Sequence, residues 1–466
     1  MSRSTAQRVF LDPAGKHLYS PFIATEVMGQ MRKVVVALIT LAGVAACRTE
    51  KSPPSLTAPS ASKPAFDVTT PTPTEADAIA ISQDIQANHW PYLTLLNPRY
   101  MSGDPNSPDY MTLSASGYTQ AADNAIWTGH YLAAESFRYS VTHSDESLSN
   151  LRKALNGITA LIDVTGTDLL ARFLIPLSSP YASAVLGEEA SHGIYNGTYN
   201  GQPYGWLGNT SRDQYSGVFF GLGVAYSLIT DASIQTEIRS DVDRMLAFLV
   251  KNGWNARMPN GTYSTTFIGR PEQQLSFLQV GRLVDPLRWT TLYKTMRTSF
   301  AASTWIPVYY ECTDPYNSYY KFNLDHINFY NLIRLEEPGT ARNQYLSAFT
   351  RLRNCTRTHQ NAHFNMIERG LQGADATRDN ETVNMLGLWL ERPRRNVFVD
   401  NTGKYPACGT NRACSPIPVN DRYPTDFLWQ RSPFQLAGGE DGTVPTPGVD
   451  YILPYWMARY YGVLSQ

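Results

Sequence analysis

The chain has 466 residues and a formal charge of −1 at neutral pH. A charge this close to zero is not the basic excess typical of nucleic-acid-binding proteins, so the composition disfavours a nucleic-acid partner. The length would allow two domains, but no second linker interrupts the body of the chain, and we expect a single large domain.

The first element is a targeting signal. A short basic start at residues 31–33 is followed by the apolar run Val34–Val44 and by small residues before Cys47. This order is typical of a secretory signal peptide, and the apolar run is short for a transmembrane helix. The small residues and cysteine resemble a bacterial lipobox, which implies cleavage before Cys47 and lipid on its thiol. The alternative is an ordinary signal peptide with an incidental cysteine.

Three segments are therefore predicted. Residues 1–46 form the signal with an upstream extension, and we expect Met31 or Met28 to be the true start. Residues 47–74 are rich in Ser, Thr, Pro and Ala without an apolar period, which predicts a disordered tether. Residues 75–466 form the folded domain. We expect a monomer in the bacterial cell envelope, anchored to a membrane through lipid at Cys47.

Four further cysteines predict two disulfides, because an even number in an exported chain favours pairing. Cys408 and Cys414 bracket the short loop GTNRA and are predicted to pair with each other. Cys312 and Cys355 would then tie the start of one helical hairpin to the end of its second helix. The cysteine spacings match no zinc template, and we expect no metal site.

Apolar residues recur with a helical period through most of the domain. Turn residues such as Asp285-Pro286 and Pro338-Gly339 separate the members of successive pairs. The predicted helices are Ala76–His89, Tyr118–Val141, Asp145–Val164, Gln214–Leu228, Ile234–Asn252, Glu272–Leu283, Leu287–Ala302, Phe322–Leu335, Thr340–Arg357, Ala362–Gly370, Arg378–Glu391 and Tyr451–Tyr461.

These helices predict an all-α fold, an (α/α)6 toroid of about six helical hairpins with long loops at one face. Short turns within pairs alternate with long polar, aromatic loops between pairs. The long loops are Arg172–Gly208, Asn255–Arg270, Trp305–Lys321 and Pro393–Asp450. Loops of this length are usually functional. An irregular helical bundle or an α-solenoid is the alternative, although no fixed sequence period supports a solenoid.

Four stretches resemble a group of uncharacterised bacterial proteins similar to six-hairpin glycosidases. GNTSRDQYSGVFFGL, residues 208–222, is similar to a GDTSSDE-x-x-G motif of that group. The others are TGHYLAAESFRYSVTHSD (128–145), LIDVTGTDLLARFLIP (161–176) and PGVDYILPYWMARYYG (447–462). The resemblance implies a toroid with a central cavity. The sequence differs from the motif at Asn209 and Gln214, where the group has acids, and retains Asp213.

Asp213 is the first candidate for catalysis because it begins a predicted inner helix beside the long loop. An acid at a helix start can instead be a cap that pairs with free N–H groups, and both readings remain open. Glycoside hydrolysis uses two carboxyl groups, and Asp123 or Asp441 is the expected partner. His326, in polar surroundings, is the histidine that best suits acid or base catalysis.

The candidate binding residues surround these acids. Asp123, Trp127 and His130 share one helix face, where Trp127 could stack on a sugar ring, although the face could also be a half-exposed helix side. Arg172 could hold a carboxylate by two parallel bonds or could brace a loop. The remaining candidates are Tyr204, Trp206, Arg212 and Trp429. Tyr204, Trp206 and Trp429 are among the chain's 28 tyrosines and 9 tryptophans, whose flat rings suit carbohydrate binding.

No G-x-S-x-G, P-loop or dinucleotide motif occurs, which disfavours serine-hydrolase, NTPase and Rossmann chemistry. We therefore expect an exported, lipid-anchored glycoside hydrolase that acts on an oligo- or polysaccharide without a cofactor. The first alternative is a polysaccharide lyase, with His326 or a tyrosine as base and Arg172 neutralising a uronate. The second is a non-catalytic glycan-binding or scaffold lipoprotein.

Overall fold

A computed structural model describes residues 70–316, 319–425 and 427–465. These described residues belong to one compact unit. The predicted signal peptide, the lipid attachment at Cys47 and most of the predicted tether lie outside the described residues. In the part of the chain that is described, no helix combines the length and apolar character needed to cross a membrane.

Helices take up 55% of the described residues, so the predicted mostly helical class is confirmed. The described α-helices are α1 (Glu75–Asn88), α2 (Asn124–Thr142), α3 (Asp145–Asp163), α4 (Ala182–Glu188), α5 (Arg212–Leu228), α6 (Ala232–Lys251), α7 (Pro271–Val284), α8 (Pro286–Phe300), α9 (Trp305–Glu311), α10 (Tyr320–Arg334), α11 (Thr340–Thr356), α12 (Ala362–Gln372), α13 (Ala376–Glu391) and α14 (Val449–Tyr460).

Small antiparallel sheets correct the expectation of a purely α-helical chain. They fold parts of the predicted long loops, and β1 and β2 precede α2. The strands are β1 (Asn97–Tyr100), β2 (Leu113–Thr119), β3 (Phe173–Pro176), β4 (Ile194–Tyr199), β5 (Gln202–Leu207), β6 (Asn255–Arg257), β7 (Tyr263–Thr266), β8 (Arg395–Asp400) and β9 (Ala437–Pro445). β1 pairs with β2, β6 with β7 and β8 with β9, while β5 lies between β3 and β4.

The helices begin where the sequence supplies caps. Ser144 caps α3 by accepting a hydrogen bond from the Ser147 N–H. Thr74 and Asp77 form a reciprocal capping box at α1. The residues just before α1 also pack on the domain, since the Thr70 hydroxyl donates to the Asn384 side chain on α13. The ordered chain therefore starts before residue 74, the predicted end of the tether.

Two kinds of helix alternate along the chain. The α2, α5, α7, α10 and α14 helices are buried around most of their circumference, whereas α3, α6, α8 and α11 bury mainly one face. A helix that is buried all round belongs to the interior of a domain, and one with a single buried face lies at its outside. We call the first kind, together with the shorter α12, the inner helices.

The inner helices run parallel to one another. On α2 and α5, Ile126 lies against Gly217, and Gly129 lies against Gly217 and Gly221. A Cβ at Gly129 would overlap the Gly217 carbonyl, and one at Gly221 would overlap the Gly129 carbonyl, so only glycine allows the two backbones to touch. In these pairs the residue numbers rise together along both helices, which is the order that parallel helices give. Helices α5 and α7 are also in contact, and Phe219 stacks on Phe277 there.

Contacts also link the remaining inner helices. The Asn328 side chain of α10 donates to the Ser216 hydroxyl of α5, and His326 of α10 stacks on Phe364 of α12. Helix α10 also contacts α7, α12 contacts α14, and α14 contacts α2. Because the inner helices are parallel, their N-terminal ends lie on one side of the domain. Asp123, Asp213, Glu272 and Asp325 all lie at or near these ends.

Both predicted disulfides are confirmed. Cys312–Cys355 joins the end of α9 to α11, with 5.9 Å between the Cα atoms. Cys408–Cys414 closes the GTNRA loop, with a Cα separation of 4.8 Å. The loop closed by the second bridge is also tied to the segment around Phe434, whose carbonyl accepts a hydrogen bond from the Ala413 N–H.

Candidate functional site

The first candidate site lies where α2 and α5 begin. Asp123 precedes the first residue of α2, and Asp213 is in the first turn of α5. Arg172 and Gln214 lie between them, and Glu189 approaches from the end of α4. We call these five residues the mouth cluster. The structure thus brings together Asp123, Asp213 and Arg172, three residues that the sequence singled out.

Asp123 is the solvent-accessible acid of the mouth cluster. Half of its side chain is exposed, and one carboxyl oxygen lies 3.5 Å from Arg172 Nη1. The same oxygen accepts a hydrogen bond of 3.0 Å from Gln214 Nε2, which orients the carboxyl group. Asp123 is therefore within reach of a molecule that approaches the surface.

Gln214, which stands where the resembling proteins have an acid, connects the two helices. Its Oε1 accepts a hydrogen bond of 3.0 Å from the Ile126 N–H in the first turn of α2, while its Nε2 donates to Asp123. An amide can donate and accept at once, whereas a carboxylate only accepts. The glutamine thus caps α2 and orients Asp123.

Asp213 experiences a different environment. Burial raises the pKa of its carboxyl above the ordinary value, and the negative charge of Asp123 raises it further. Arg172 and Arg212 act in the opposite direction. Ser211, the residue before α5, forms no capping hydrogen bond, and the Asp213 carboxyl bonds to its own backbone N–H in the first turn. Two neighbouring carboxyl groups with unlike environments form the arrangement that acid–base catalysis uses.

Arg172 is a bracing residue. Its Nε donates to the Asn209 carbonyl over 2.9 Å, and its Nη1 donates to the Ala122 carbonyl over 2.7 Å. The side chain is 8% exposed. These bonds join the loop before α5 to the turn before α2, and they favour the bracing reading over the uronate-binding reading.

The sequence did not single out Glu189 and His192. Burial raises the pKa of Glu189, helped by the charge of Glu188. His192 Nε2 lies 3.5 Å from Glu189 Oε2, and burial together with Arg172 lowers the pKa of His192. Both residues lie in a polar loop without an apolar period, so no pattern distinguished them from neighbouring loop residues.

A second group of acids lies inside the domain at the starts of α7 and α10. Glu272, Asp325 and Glu311 surround Arg270, which donates to Glu311 over 2.7 Å. We call these four residues the buried cluster. Glu272 is fully buried and Asp325 is 1% exposed. Burial raises the pKa of Glu272 to about 7, and it raises the pKa of Asp325 well above its ordinary value.

Trp127, His130 and Trp429, which were predicted to bind the ligand, are buried in the structure. Trp127 stacks on Phe427 with 3.3 Å between ring centroids, and Trp429 stacks on His130 at 5.6 Å. The three predicted residues are at most 7% exposed. His130 Nδ1 donates to the Ile126 carbonyl, and burial lowers the pKa of His130 to about 4. These rings fill the space between the inner helices and have no face open to a sugar.

His326 is also placed away from solvent. It is fully buried, it stacks on Phe364 with 3.7 Å between centroids, and its Nδ1 donates to the Phe322 carbonyl. Burial lowers the pKa of His326 well below its ordinary value. A neutral, enclosed imidazole cannot exchange protons with a substrate, so the predicted acid or base role is not supported.

The other predicted residues are dispersed. Trp206 is buried against Tyr195, Tyr204 is half-buried on β5, and Arg212 donates to the Thr266 carbonyl over 3.4 Å. Asp441 is exposed on β9, where it accepts hydrogen bonds from the backbone and hydroxyl of Thr443. These bonds lower the pKa of Asp441. Asp441 therefore orders its own turn, and no contact among the described residues joins it to Asp213.

Across residues 70–316, 319–425 and 427–465, no group of three or more His, Cys, Asp or Glu side chains is arranged to hold a metal ion. Comparison with known proteins adds no identity, since no protein family, curated protein or solved structure matches the chain. Function must therefore be argued from the mouth cluster and its surroundings.

Proposed function

We propose that the protein is a glycoside hydrolase built on an (α/α)6 toroid, with the mouth cluster as its active site. Six inner helices, four of which are followed by an outer helix, support the toroid. Contacts of α2 with α5, α5 with α7, α7 with α10, α10 with α12, α12 with α14 and α14 with α2 return to their starting point. In such an arrangement the N-terminal ends of the inner helices surround a common opening.

The observation that carries the proposal is the unlike pair Asp123 and Asp213. Asp213, whose pKa is raised, retains a proton and donates it to the glycosidic oxygen as the bond to the leaving sugar breaks. Asp123, half exposed and oriented by Gln214 and Arg172, attacks the anomeric carbon or activates the water that does so. Arg172 keeps the two helix starts in register without contacting the sugar.

The lyase alternative has less support. It needs an arginine for a uronate and an accessible base, whereas Arg172 is engaged with two carbonyls and His326 is enclosed. A non-catalytic glycan-binding protein is the second candidate, because α9 exposes an aromatic surface. Trp305, Tyr309 and Tyr310 are 41%, 50% and 68% exposed, which suits stacking on sugar faces without a reaction.

The test is hydrolysis of a panel of oligosaccharides by the purified full chain and by Asp213→Asn. The control is Asp145→Asn, which changes an exposed acid in the first turn of the outer helix α3. The proposal predicts release of reducing ends by the wild type and by the control, and a loss of about 10²-fold or more in Asp213→Asn. Binding without bond cleavage by the wild type would instead favour the non-catalytic candidate.

A further inference from the structure

A second surface lies beside the mouth cluster. It is an open groove of about 640 Å³, a volume typical of small-molecule sites. One wall is formed by Tyr316 and Tyr320 at the start of α10, and the other by Arg412 in the Cys408–Cys414 loop and by Arg431. We call these four residues and the space between them the arginine groove.

The groove is positively charged. Of the described residues that line it, two are arginines and none is acidic. Most arginines near the mouth face a carboxylate, as Arg172 faces Asp123 and Arg270 faces Glu311. Neither Arg412 nor Arg431 forms an ion pair with a carboxylate in residues 70–316, 319–425 and 427–465. Two such cations beside each other attract an anion.

Arg412 is held in place before any ligand arrives. Its Nη2 donates to the Cys408 carbonyl over 2.5 Å, and its guanidinium lies 4.3 Å from the centroid of the Tyr316 ring. The disulfide closes the same loop, and the Leu436 N–H donates to the Asn411 carbonyl. A guanidinium has five N–H donors, so the remaining donors can bind a carboxylate or sulfate at little cost in side-chain entropy.

The tyrosines connect the groove to the mouth cluster. Tyr320 is 46% exposed and lines the groove. It is the first residue of α10, Asp213 lies in the first turn of α5, and these two parallel helices contact each other. Burial and the negative charge of Asp213 raise the pKa of the Tyr320 hydroxyl, in keeping with this placement. A sugar chain cut at the mouth cluster would continue across Tyr320 into the groove.

We propose that the arginine groove binds an acidic sugar unit of the substrate, so that the enzyme acts on a glycan that carries carboxylates or sulfates. This inference rests on the proposed function, because it treats the groove as a subsite next to the hydrolytic acids. The anionic group is bound by Arg412 and Arg431, and the sugar ring packs on Tyr316 and Tyr320. The acids of the mouth cluster repel the anion, which places the charged unit in the groove and not at the scissile bond.

The test is binding of defined oligosaccharides to the full chain by isothermal titration calorimetry at low salt. The probes are an oligogalacturonate, the same oligomer as its methyl ester, and a dextran sulfate oligomer. The ester keeps the sugar and removes the charge. We expect the oligogalacturonate or the sulfated oligomer to bind at least about tenfold more tightly than the ester, and the stronger of the two identifies the anionic group.

The variants Arg412→Gln and Arg431→Gln test whether the groove arginines themselves bind the anion or whether positive charge anywhere on the protein is enough. Each is expected to weaken binding of the acidic probe about fivefold to tenfold and to leave binding of the ester unchanged. Arg239→Gln, on the exposed side of the outer helix α6, removes the same charge elsewhere and should bind like the wild type. Equal affinity for acid and ester, no binding of either acidic probe, or equal weakening by Arg239→Gln would overturn the inference.

Asp213→Asn distinguishes this inference from the proposed reaction. If both are right, Asp213→Asn binds the acidic probe as the wild type does and no longer cleaves it. If the variant still cleaves, the proposed catalytic role is wrong, while the effect of Arg412→Gln on binding still decides the groove. If the arginine variants bind normally and Asp213→Asn is inactive, the groove proposal alone fails.

Discussion

The mouth cluster and the buried cluster each place three carboxyl groups around one arginine, at the starts of neighbouring inner helices. They differ in access and in partners. Asp123 is half exposed and bonded to Gln214 and Arg172. Both carboxyl oxygens of Glu272 are buried without a hydrogen-bond partner among the described residues, as is one oxygen of Asp325. The comparison shows that acidic composition alone does not identify an active site.

The physical difference lies in which carboxyl can exchange a proton with a ligand. In the mouth cluster, Asp123 is accessible at the surface, while burial and the charge of Asp123 push Asp213 toward the protonated form. In the buried cluster, Glu272 and Asp325 are both pushed toward the protonated form by desolvation. The first arrangement suits catalysis, and the second imposes a pH-dependent cost on folding. The predictions below test this division.

The largest expected effect is the difference in the rate of hydrolysis between Asp213→Asn and Asp325→Asn. The first is expected to reduce the rate of hydrolysis by about 10²- to 10⁴-fold without unfolding the chain, because it removes the proton donor. The second replaces an enclosed acid and should leave the rate within about threefold while changing the free energy of unfolding. Steady-state kinetics and urea unfolding on both variants give the measurement, and the reverse pattern would move the active site to the buried cluster.

Arg270→Gln should produce the next largest effect. It leaves Glu311 without its bonded cation and removes the charge that favours ionisation of Glu272, so we expect a loss of about 3 kcal/mol in stability at pH 8. The loss should be smaller at pH 5, which is below the pKa of about 7 of Glu272, so that this acid is protonated and no longer needs the cation. Arg152→Gln breaks an exposed pair with Asp231 and should leave stability nearly unchanged at either pH. Equal losses in both variants would contradict the comparison.

The pH dependence of stability should reveal Glu272. Its pKa rises from 4.5 in the unfolded chain to about 7 in the folded one, so the folded state binds the proton more tightly. Its contribution is complete below pH 4.5 and is lost as pH rises to about 7, a decline of about 3 kcal/mol. Glu272→Gln should flatten urea-unfolding free energies across this range. Glu337→Gln, at an exposed turn, should keep the wild-type slope.

Gln214→Glu should have the smallest effect and act only on the mouth cluster. It adds a negative charge next to Asp213, and a negative charge raises the pKa of Asp213 further above its ordinary value. The alkaline limb of the pH–rate profile, which Asp213 sets as the proton donor, should move upward by about one pH unit. Gln83→Glu, on the exposed face of α1, should leave the profile in place. A downward shift would show that Asp213 is not the group that must be protonated.

The sequence was sufficient for features that depend on local pattern. The helical period located the twelve paired helices, and the cysteine spacing identified both disulfides. The glycines at 217 and 221 mark a close helix contact because two small residues one turn apart leave a shallow groove on the helix surface. Asp123 and Asp213 also emerged, since each lies where a long polar loop meets a helix.

The rest depended on contacts between distant parts of the chain. Trp127 and His130 are buried because Phe427 and Trp429, about 300 residues later, fill the space beside them. No local period encodes that contact. The strands were missed because most of them have only three to six residues, and the two longer ones, of seven and nine residues, carry glycines that interrupt any alternation of apolar and polar side chains. The sequence around Glu272 did carry a signal. Glu272 stands at the start of a helix whose next residues are amides and apolar side chains, a composition typical of a buried helix. A charged residue on a buried helix is rare and usually has a specific partner or role.

The backbone contact between α2 and α5 has a mechanical consequence. Gly129, Gly217 and Gly221 bring the backbones of the two helices into direct contact, so the helices cannot shift independently of each other. Asp123 and Asp213 lie at the same end of this helix pair, and their separation therefore does not depend on how the outer helices pack. Extensive redesign of the outer helices should leave the distance between the two acids unchanged, and with it the stereochemical outcome of the proposed hydrolysis.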